Sequence, residues 1–231
     1  VNYTNPSFVS VYLNTTTAVG SISFSAATNL TTDAAQYKLR NVAISDLDGD
    51  GKSDIAVVDS SGSVLLYRNT GSVGVVSFDP KVEFSTGIGE GIMIGDIDSD
   101  GLPDLAITSK GTTIRVLRNT STSGSFSFVN SGNFTTGGGP YDLALGDLDG
   151  NGELDIATVN HSGQNVSVLL NTSTSGAVSF AYQIHFANGK STFKIAIGDL
   201  NPKGQDADQN EIRYGAKRRE NTVKRPHKCG T

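Results

Sequence analysis

Tryptophan is absent from this 231-residue chain, and cysteine and methionine occur once each. The lone Cys229 excludes an intrachain disulfide framework. No apolar stretch approaches the ~18 residues of a membrane-spanning helix, so no span is expected. No segment before the tail sustains a 3.6-residue apolar period, which leaves little room for helix. A secretory leader is also missing, and the chain starts part-way through its own repeat, as a trimmed segment of a longer multidomain protein would. The three histidines offer little for acid–base chemistry. His161 and His185 occupy non-equivalent places without a companion nucleophile, so no catalytic residue is expected and the chain reads as a non-enzyme.

What is present is a nine-residue pattern, Asp-x-Asp-x-Asp/Asn-Gly-x-x-Asp, repeated in phase. Its copies are Asp46, Asp48, Asp50, Gly51, Asp54; then Asp96, Asp98, Asp100, Gly101, Asp104; then Asp147, Asp149, Asn151, Gly152, Asp155. The first residues of the copies recur about every 50 positions, the period of stacked or radially arranged modules. Alternating carboxylates around a glycine are what a hard cation requires. Calcium takes roughly 6–8 oxygen ligands at about 2.3–2.6 Å. Positions 1, 3, 5 and 9 converge their side chains, while position 7 (Lys52, Leu102, Glu153) offers its carbonyl. The expectation is about three bound Ca²⁺ ions, the third site weakest because Asn151 replaces a carboxylate. Three divalent cations would more than offset the formal charge of −5. An EF-hand is excluded, because position 12 is Val57, Ile107 and Thr158 rather than Glu.

Short β-branched and aromatic runs flank each loop. Val42–Ile44, Ile92–Ile94, Leu143–Leu145 and Ile195–Ile197 precede loops; Ile55–Val58, Leu105–Ile107 and Ile156–Val159 follow them. A third run (Val64–Tyr67, Ile114–Leu117, Val166–Leu170) ends at an Asn-Thr turn, and a fourth is aromatic (Val75–Phe78, Phe126–Phe128, Val178–Phe180). Such runs between Gly, Ser, Asn and Asp clusters read as strands. Each unit is therefore four antiparallel strands with the acidic loop joining the first to the second. Val9–Thr15 matches the third run and Ser21–Phe24 the fourth.

Four-stranded units repeated around an axis are propeller blades. The expected fold is all-β: a β-propeller of four-stranded blades, with three complete blades (36–85, 86–136, 137–188) and partial blades at both ends, the first over 1–35. A fourth loop starts at Asp199, but Lys203 and Ala207 stand at ligand positions 5 and 9. The sequence predicts a dead site there, no second strand after it, and a basic, non-repeat tail over 201–231 that is disordered or aberrant. The Lys217-Arg218-Arg219 cluster falls in that tail, and no nucleic-acid partner is inferred from it.

The stretch Leu143-Ala144-Leu145-Gly146-Asp147-Leu148-Asp149-Gly150-Asn151-Gly152-Glu153-Leu154-Asp155-Ile156-Ala157 resembles FG-GAP or VCBS-type repeats, the modules of the integrin α-subunit propeller and of many bacterial surface proteins. The resemblance spans roughly residues 1–200. It implies a calcium-stabilised propeller, secreted or at the cell surface, used for adhesion or recognition of a protein or glycan. Lectins and accessory domains of secreted enzymes carry similar repeats.

Overall fold

The computed structural model of the chain describes residues 7–32, 38–87, 89–198, 211–216 and 219–223, the last two segments as backbone. Every described element is a strand. An antiparallel pair, β1 (Phe8–Val11) and β2 (Thr28–Thr31), opens the chain. Three four-stranded antiparallel sheets follow in chain order. The first holds β3 (Leu39–Ser45), β4 (Asp54–Asp59), β5 (Ser63–Tyr67) and β6 (Val82–Ser85). The second holds β7 (Ile92–Gly95), β8 (Asp104–Ser109), β9 (Thr113–Asn119) and β10 (Phe128–Thr135). The third holds β11 (Pro140–Gly146), β12 (Asp155–Asn160), β13 (Asn165–Leu169) and β14 (Ile184–Ala187). A three-stranded sheet of β15 (Lys194–Gly198), β16 (Glu211–Ala216) and β17 (Arg219–Val223) completes the series. Among the described residues no sheet joins the first strands to the last, and no closed ring is formed.

The second strand of each four-stranded sheet is buried along almost its whole length, with an apolar centre, because both of its faces are covered. Ile55 and Val57 of β4 pack towards the N-terminal pair with Val9, Leu39, Leu65 and Tyr67. Ala56 and Val58 face the second sheet, meeting Ile92, Leu105, Ile107 and Leu117. The pattern repeats between the second and third sheets, where Ala106, Ile114 and Val116 meet Leu143, Ile156 and Leu169. Ala157, Val159, Val166 and Val168 then meet Ile195 of β15. The core is thus a series of seams between successive sheets. Each seam after the first includes the residue between the first two loop carboxylates: Leu47, Ile97 or Leu148.

Two sequence expectations are corrected. In the first and third sheets the aromatic fourth run is the returning arm of the third strand's hairpin, held by bridges such as Asn69↔Phe78 and Asn171↔Phe180. The fourth strands proper, β6 and β14, come several residues later. The N-terminal pair does the same: Asn14 bridges Phe24, and β1 pairs with β2 rather than with Ile22–Phe24. The outermost strand exposes Val82, Glu83 and Ser85 in β6 and Ile184, His185 and Ala187 in β14, so it lacks the alternation that marks a half-buried strand. The second correction concerns the C-terminal end. A second strand does follow β15, since β16 pairs antiparallel with it from Lys194↔Gly215 to Gly198↔Glu211. The fourth loop at Asp199, with Lys203 and Ala207, lies outside the described residues.

Candidate metal centres

Each acidic loop is the connection of a tight hairpin. The residue before position 1 pairs with the position-9 aspartate across the strands: Ser45↔Asp54, Gly95↔Asp104 and Gly146↔Asp155. Two loop positions take the left-handed region. Position 6 is Gly51, Gly101 or Gly152 (φ 86°, 92° and 91°), and position 4 is Gly49, Ser99 or Gly150 (φ 73°, 57° and 80°). The sequence reading recognised the first and missed the second, although Gly at position 4 in two of the three copies was a signal.

The position-1 carboxylate organises the turn. Asp46 accepts the N–H groups of Gly49, Asp50 and Gly51, and Asp147 those of Gly150, Asn151 and Gly152. Asp96 accepts from Asp100 and Gly101. Partial desolvation acts to raise the Asp147 carboxyl. The N–H groups of Gly152, Gly150, Asn151 and Asp149 outweigh it and hold that carboxyl below its usual range.

Position 9 serves a purpose the pattern does not show. One oxygen of Asp54, Asp104 and Asp155 accepts the N–H of Leu47, Ile97 and Leu148, at 2.9, 3.0 and 2.7 Å. The other accepts the N–H of Asn69, Asn119 and Asn171 at the end of the third strand, at 2.8, 2.7 and 2.8 Å. These aspartates are fully buried. Burial pushes the Asp104 carboxyl up to about 6; the N–H groups of Asn119 and Ile97 oppose the rise, and Asp98 and Asp100 add to it. Burial likewise raises Asp54 and Asp155 against their backbone donors.

Position 3 reaches the next sheet. Asp48 accepts the N–H of Gly124, 76 residues away, at 2.8 Å, and Asp98 that of Gly176, 78 away, at 2.9 Å. Both glycines sit at the hairpin tip of the following sheet. The same hairpins return a second bond, as the Nδ2 groups of Asn119 and Asn171 donate to the carbonyls of Leu47 and Ile97 at 2.8 and 2.7 Å. Successive sheets are therefore clasped through the loops, a relation that sequence spacing does not reveal.

The structure brings three ligand sets together: Asp46, Asp48 and Asp50; Asp96, Asp98 and Asp104; Asp147, Asp149 and Asp155. Within each, one carboxylate oxygen per residue lies within 4.8 Å of the others. Two ligands about 2.4 Å from one ion are at most twice that distance apart, so each set is spaced closely enough to hold a single metal ion. An independent observation supports the fit at the second loop: Asp98 is wholly buried, and its Oδ1 has no hydrogen-bond partner. A buried carboxylate oxygen without a donor is costly unless a cation meets it. Burial is the leading cause raising the Asp98 carboxyl, with Asp100 adding to it and Gly176, the Asp100 N–H and Arg118 opposing.

The remaining expected ligands fall outside these sets. Asp54 holds the same two backbone donors as Asp104 and Asp155 but does not join the first set, and Asp100 turns to Arg118, whose Nη1 lies 3.3 Å away. Asn151 Oδ1 accepts the Glu153 N–H, as Asp50 and Asp100 accept those of Lys52 and Leu102. Arg68 and Arg118 approach Asp48 and Asp98 to 4.0 Å. In the third sheet Leu170 stands where those arginines would be.

One polar pair resembles a catalytic dyad but is closed to substrate. Ser167 Oγ lies 2.9 Å from His185 Nδ1, yet Ser167 is fully buried and its oxygen already accepts from Gly137 N–H and Asn160 Nδ2. The hydroxyl proton is thereby directed to the imidazole, and neither lone pair is left to attack.

A search of curated protein sequences finds no match. Among solved structures, the chain is similar to a Photorhabdus luminescens Tc holotoxin pore, with 16% identity and a TM-score of 0.39 over 96% of this chain. It spans only 11% of that structure's chain. Residues 46–107 and 96–158 each match the FG-GAP-like repeat family, every match running from one acidic loop through the next. The chain is an FG-GAP-type repeat protein.

Proposed function

We propose that the chain is an extracellular, calcium-binding β-propeller segment that serves as a non-catalytic recognition or adhesion module. The observation that carries the reading is the set of three convergent aspartate groups, one of them holding the buried, unpartnered Asp98 Oδ1. In this reading Asp46, Asp48 and Asp50 hold one Ca²⁺, Asp96, Asp98 and Asp104 a second, and Asp147, Asp149 and Asp155 a third. The ions neutralise carboxylates packed between sheets and so stabilise a surface for partners. Because the groups repeat with the sheet, they behave as structural sites, and the buried Ser167 favours a non-enzyme. The test is isothermal calorimetry of the metal-free chain with Ca²⁺ and Mg²⁺. Three calcium sites with Mg²⁺ clearly weaker support the reading; fewer than two, or equal affinity, sinks it.

A second reading, a carbohydrate-binding module, has one observation in its favour. A cleft of about 300 Å³ lies between Phe134 of β10 and Phe180–Gln183, and beside it Tyr182 is 95% exposed. An open tyrosine ring near Asn133, Thr135 and Gln183 offers stacking and hydrogen bonding to a sugar. Glycan-array binding that Tyr182→Ala abolishes would favour this reading over a protein ligand.

A further inference from the structure

At the end of the third strand the first two sheets carry an arginine at the same place, Arg68 and Arg118, one residue before Asn69 and Asn119. Their guanidinium groups are engaged differently. Arg68 is taken up by Asp79, whose Oδ2 accepts from its Nε and Nη2 at 2.9 and 2.5 Å. Asp79 faces Arg68 across the hairpin, since its N–H donates to the Arg68 carbonyl. In the second sheet the residue opposite Arg118 is Val129. Valine accepts no hydrogen bond, and Arg118 turns to the acidic loop instead. Its Nη1 lies 3.3 Å from Asp100 Oδ2 and its Nε 4.0 Å from Asp98 Oδ2.

The position-5 carboxylates differ in step with the arginines. Asp50 and Asp100 both accept the position-7 N–H through Oδ1 at 2.9 Å. Asp50 nevertheless belongs to the first convergent set, with the exposed Lys52 Nζ 3.5 Å from its Oδ2, whereas Asp100 is left out of the second. The Arg118 and Asp100 side chains are 23% and 15% exposed, so their attraction is screened less than that of a surface pair. Arg118 stands beside the ligand set rather than in it, and Asp98 Oδ1 keeps no hydrogen-bond partner. The guanidinium therefore offsets charge at the second loop without filling the position a metal would take.

We propose that Arg118 is an internal competitor of the metal at the second loop, holding Asp100 out of the ligand set until calcium binds, and that Asp79 relieves the first loop of the same competition. On the calcium reading of the loops, on which this inference rests, an ion held by Asp96, Asp98 and Asp104 gains a fourth carboxylate only by drawing Asp100 away from the guanidinium. The ion pair lost in that exchange lowers the affinity of the second loop.

The N–H groups of Gly51, Gly101 and Gly152 each donate to the position-1 carboxylate of their own loop, so their amide resonances read the three loops separately in a calcium titration of the full chain. Arg118→Leu, which copies Leu170 of the third sheet, should tighten the Gly101 response roughly threefold to fivefold and leave Gly51 and Gly152 unchanged. Val129→Asp gives Arg118 the partner that Arg68 has; it should tighten the same response with the guanidinium retained, and it carries the test if Arg118→Leu misfolds. Asp79→Ala should weaken the Gly51 response. Loss of any nearby positive charge favours a cation, so Asp100→Asn separates the mechanisms: in that background the gain from Arg118→Leu should disappear. A gain of the same size without the Asp100 carboxylate would make Arg118 a mere background charge and overturn the competition. An unchanged Gly101 response in both Arg118→Leu and Val129→Asp, beside normal responses at Gly51 and Gly152, would overturn this proposal alone. Calcium that moves none of the three glycines would overturn the calcium reading and this proposal with it.

Discussion

The second and third acidic loops share a pattern but not an environment. Asp98 is buried beneath a hairpin of the next sheet, with Arg118 4.0 Å away. Asp149 is exposed, and Leu170 replaces the arginine. The contrast shows that the neighbouring sheet sets the burial and hydrogen bonding of a loop carboxylate as much as its own nine residues do. The position-9 aspartate is common to both, and in both it ties the hairpin shut before any ion arrives.

The largest expected effect comes from deleting that shared tie. Asp104→Ala leaves the N–H groups of Ile97 and Asn119 unpaired in the core, and chemical denaturation in EDTA should show a loss of about 3–5 kcal/mol. Asp149→Ala should cost less than about 1 kcal/mol under the same conditions. Similar losses for the two would erase the distinction between a buried, closing carboxylate and an exposed one.

Calcium sharpens the comparison next. At 100 times Kd each independent site should add about 2.7 kcal/mol to the folded state, with the third loop the last to fill in a titration. If EDTA leaves thermal unfolding unchanged, the loops are turns rather than metal sites.

The cross-sheet asparagines give a third contrast. Asn171 Nδ2 bonds both Ile97 O in the preceding sheet and Leu154 O in its own, whereas the half-buried Asn69 Nδ2 bonds Ser53 O of its own loop. Asn171→Ala should cost about 2 kcal/mol and Asn69→Ala about 1 or less. An equal cost would mean that the bond between sheets contributes nothing.

How much of this was legible in the sequence depends on burial. The loops and the first three strands were readable, because carboxylate spacing and runs such as Ile55–Val58 leave strong patterns. The fourth strands β6 and β14 were placed too early, because exposed residues such as Val82 and Glu83 leave almost none. The bond from Asp98 to Gly176 spans 78 residues, and no local pattern encodes it. Asp54 was read as a ligand only, since spacing does not separate a carboxylate that binds a cation from one that binds backbone N–H groups.

Acidity probes the second loop with a smaller effect. The folded Asp104 carboxyl titrates at about 6, above its ordinary 3.8. The folded chain therefore binds the proton more tightly than the unfolded one. Metal-free stability should rise as pH falls from 7 through 6, with at most about 1.4 kcal/mol per pH unit from this group. Asp147, shifted the other way, contributes stability above its ordinary pKa and loses it only in stronger acid. Asp104→Asn should flatten the rise between pH 7 and 5, and an unchanged slope would refute the assignment. The smallest effect expected is a gain. Ser99, at φ 57° where the other loops have glycine, should stabilise the chain by about 0.5–1 kcal/mol when changed to Gly, unless its bond to Glu153 offsets the relief.

The asparagines that cross between sheets also bear on how the chain can be made. Asn119-Thr120-Ser121 and Asn171-Thr172-Ser173 are acceptor sequences for N-linked glycans, yet their side chains are 0% and 3% exposed and donate into the adjoining sheet. In a eukaryotic secretory pathway the transferase meets the nascent chain before those seams close. A sugar added there would occupy the amide that must reach Leu47 or Ile97, and the sheets on either side could not come together. Folding and glycosylation compete for the same nitrogen atoms, and a bacterial host or an Asn-Thr-Ser to Asn-Thr-Ala change at these turns keeps them for folding.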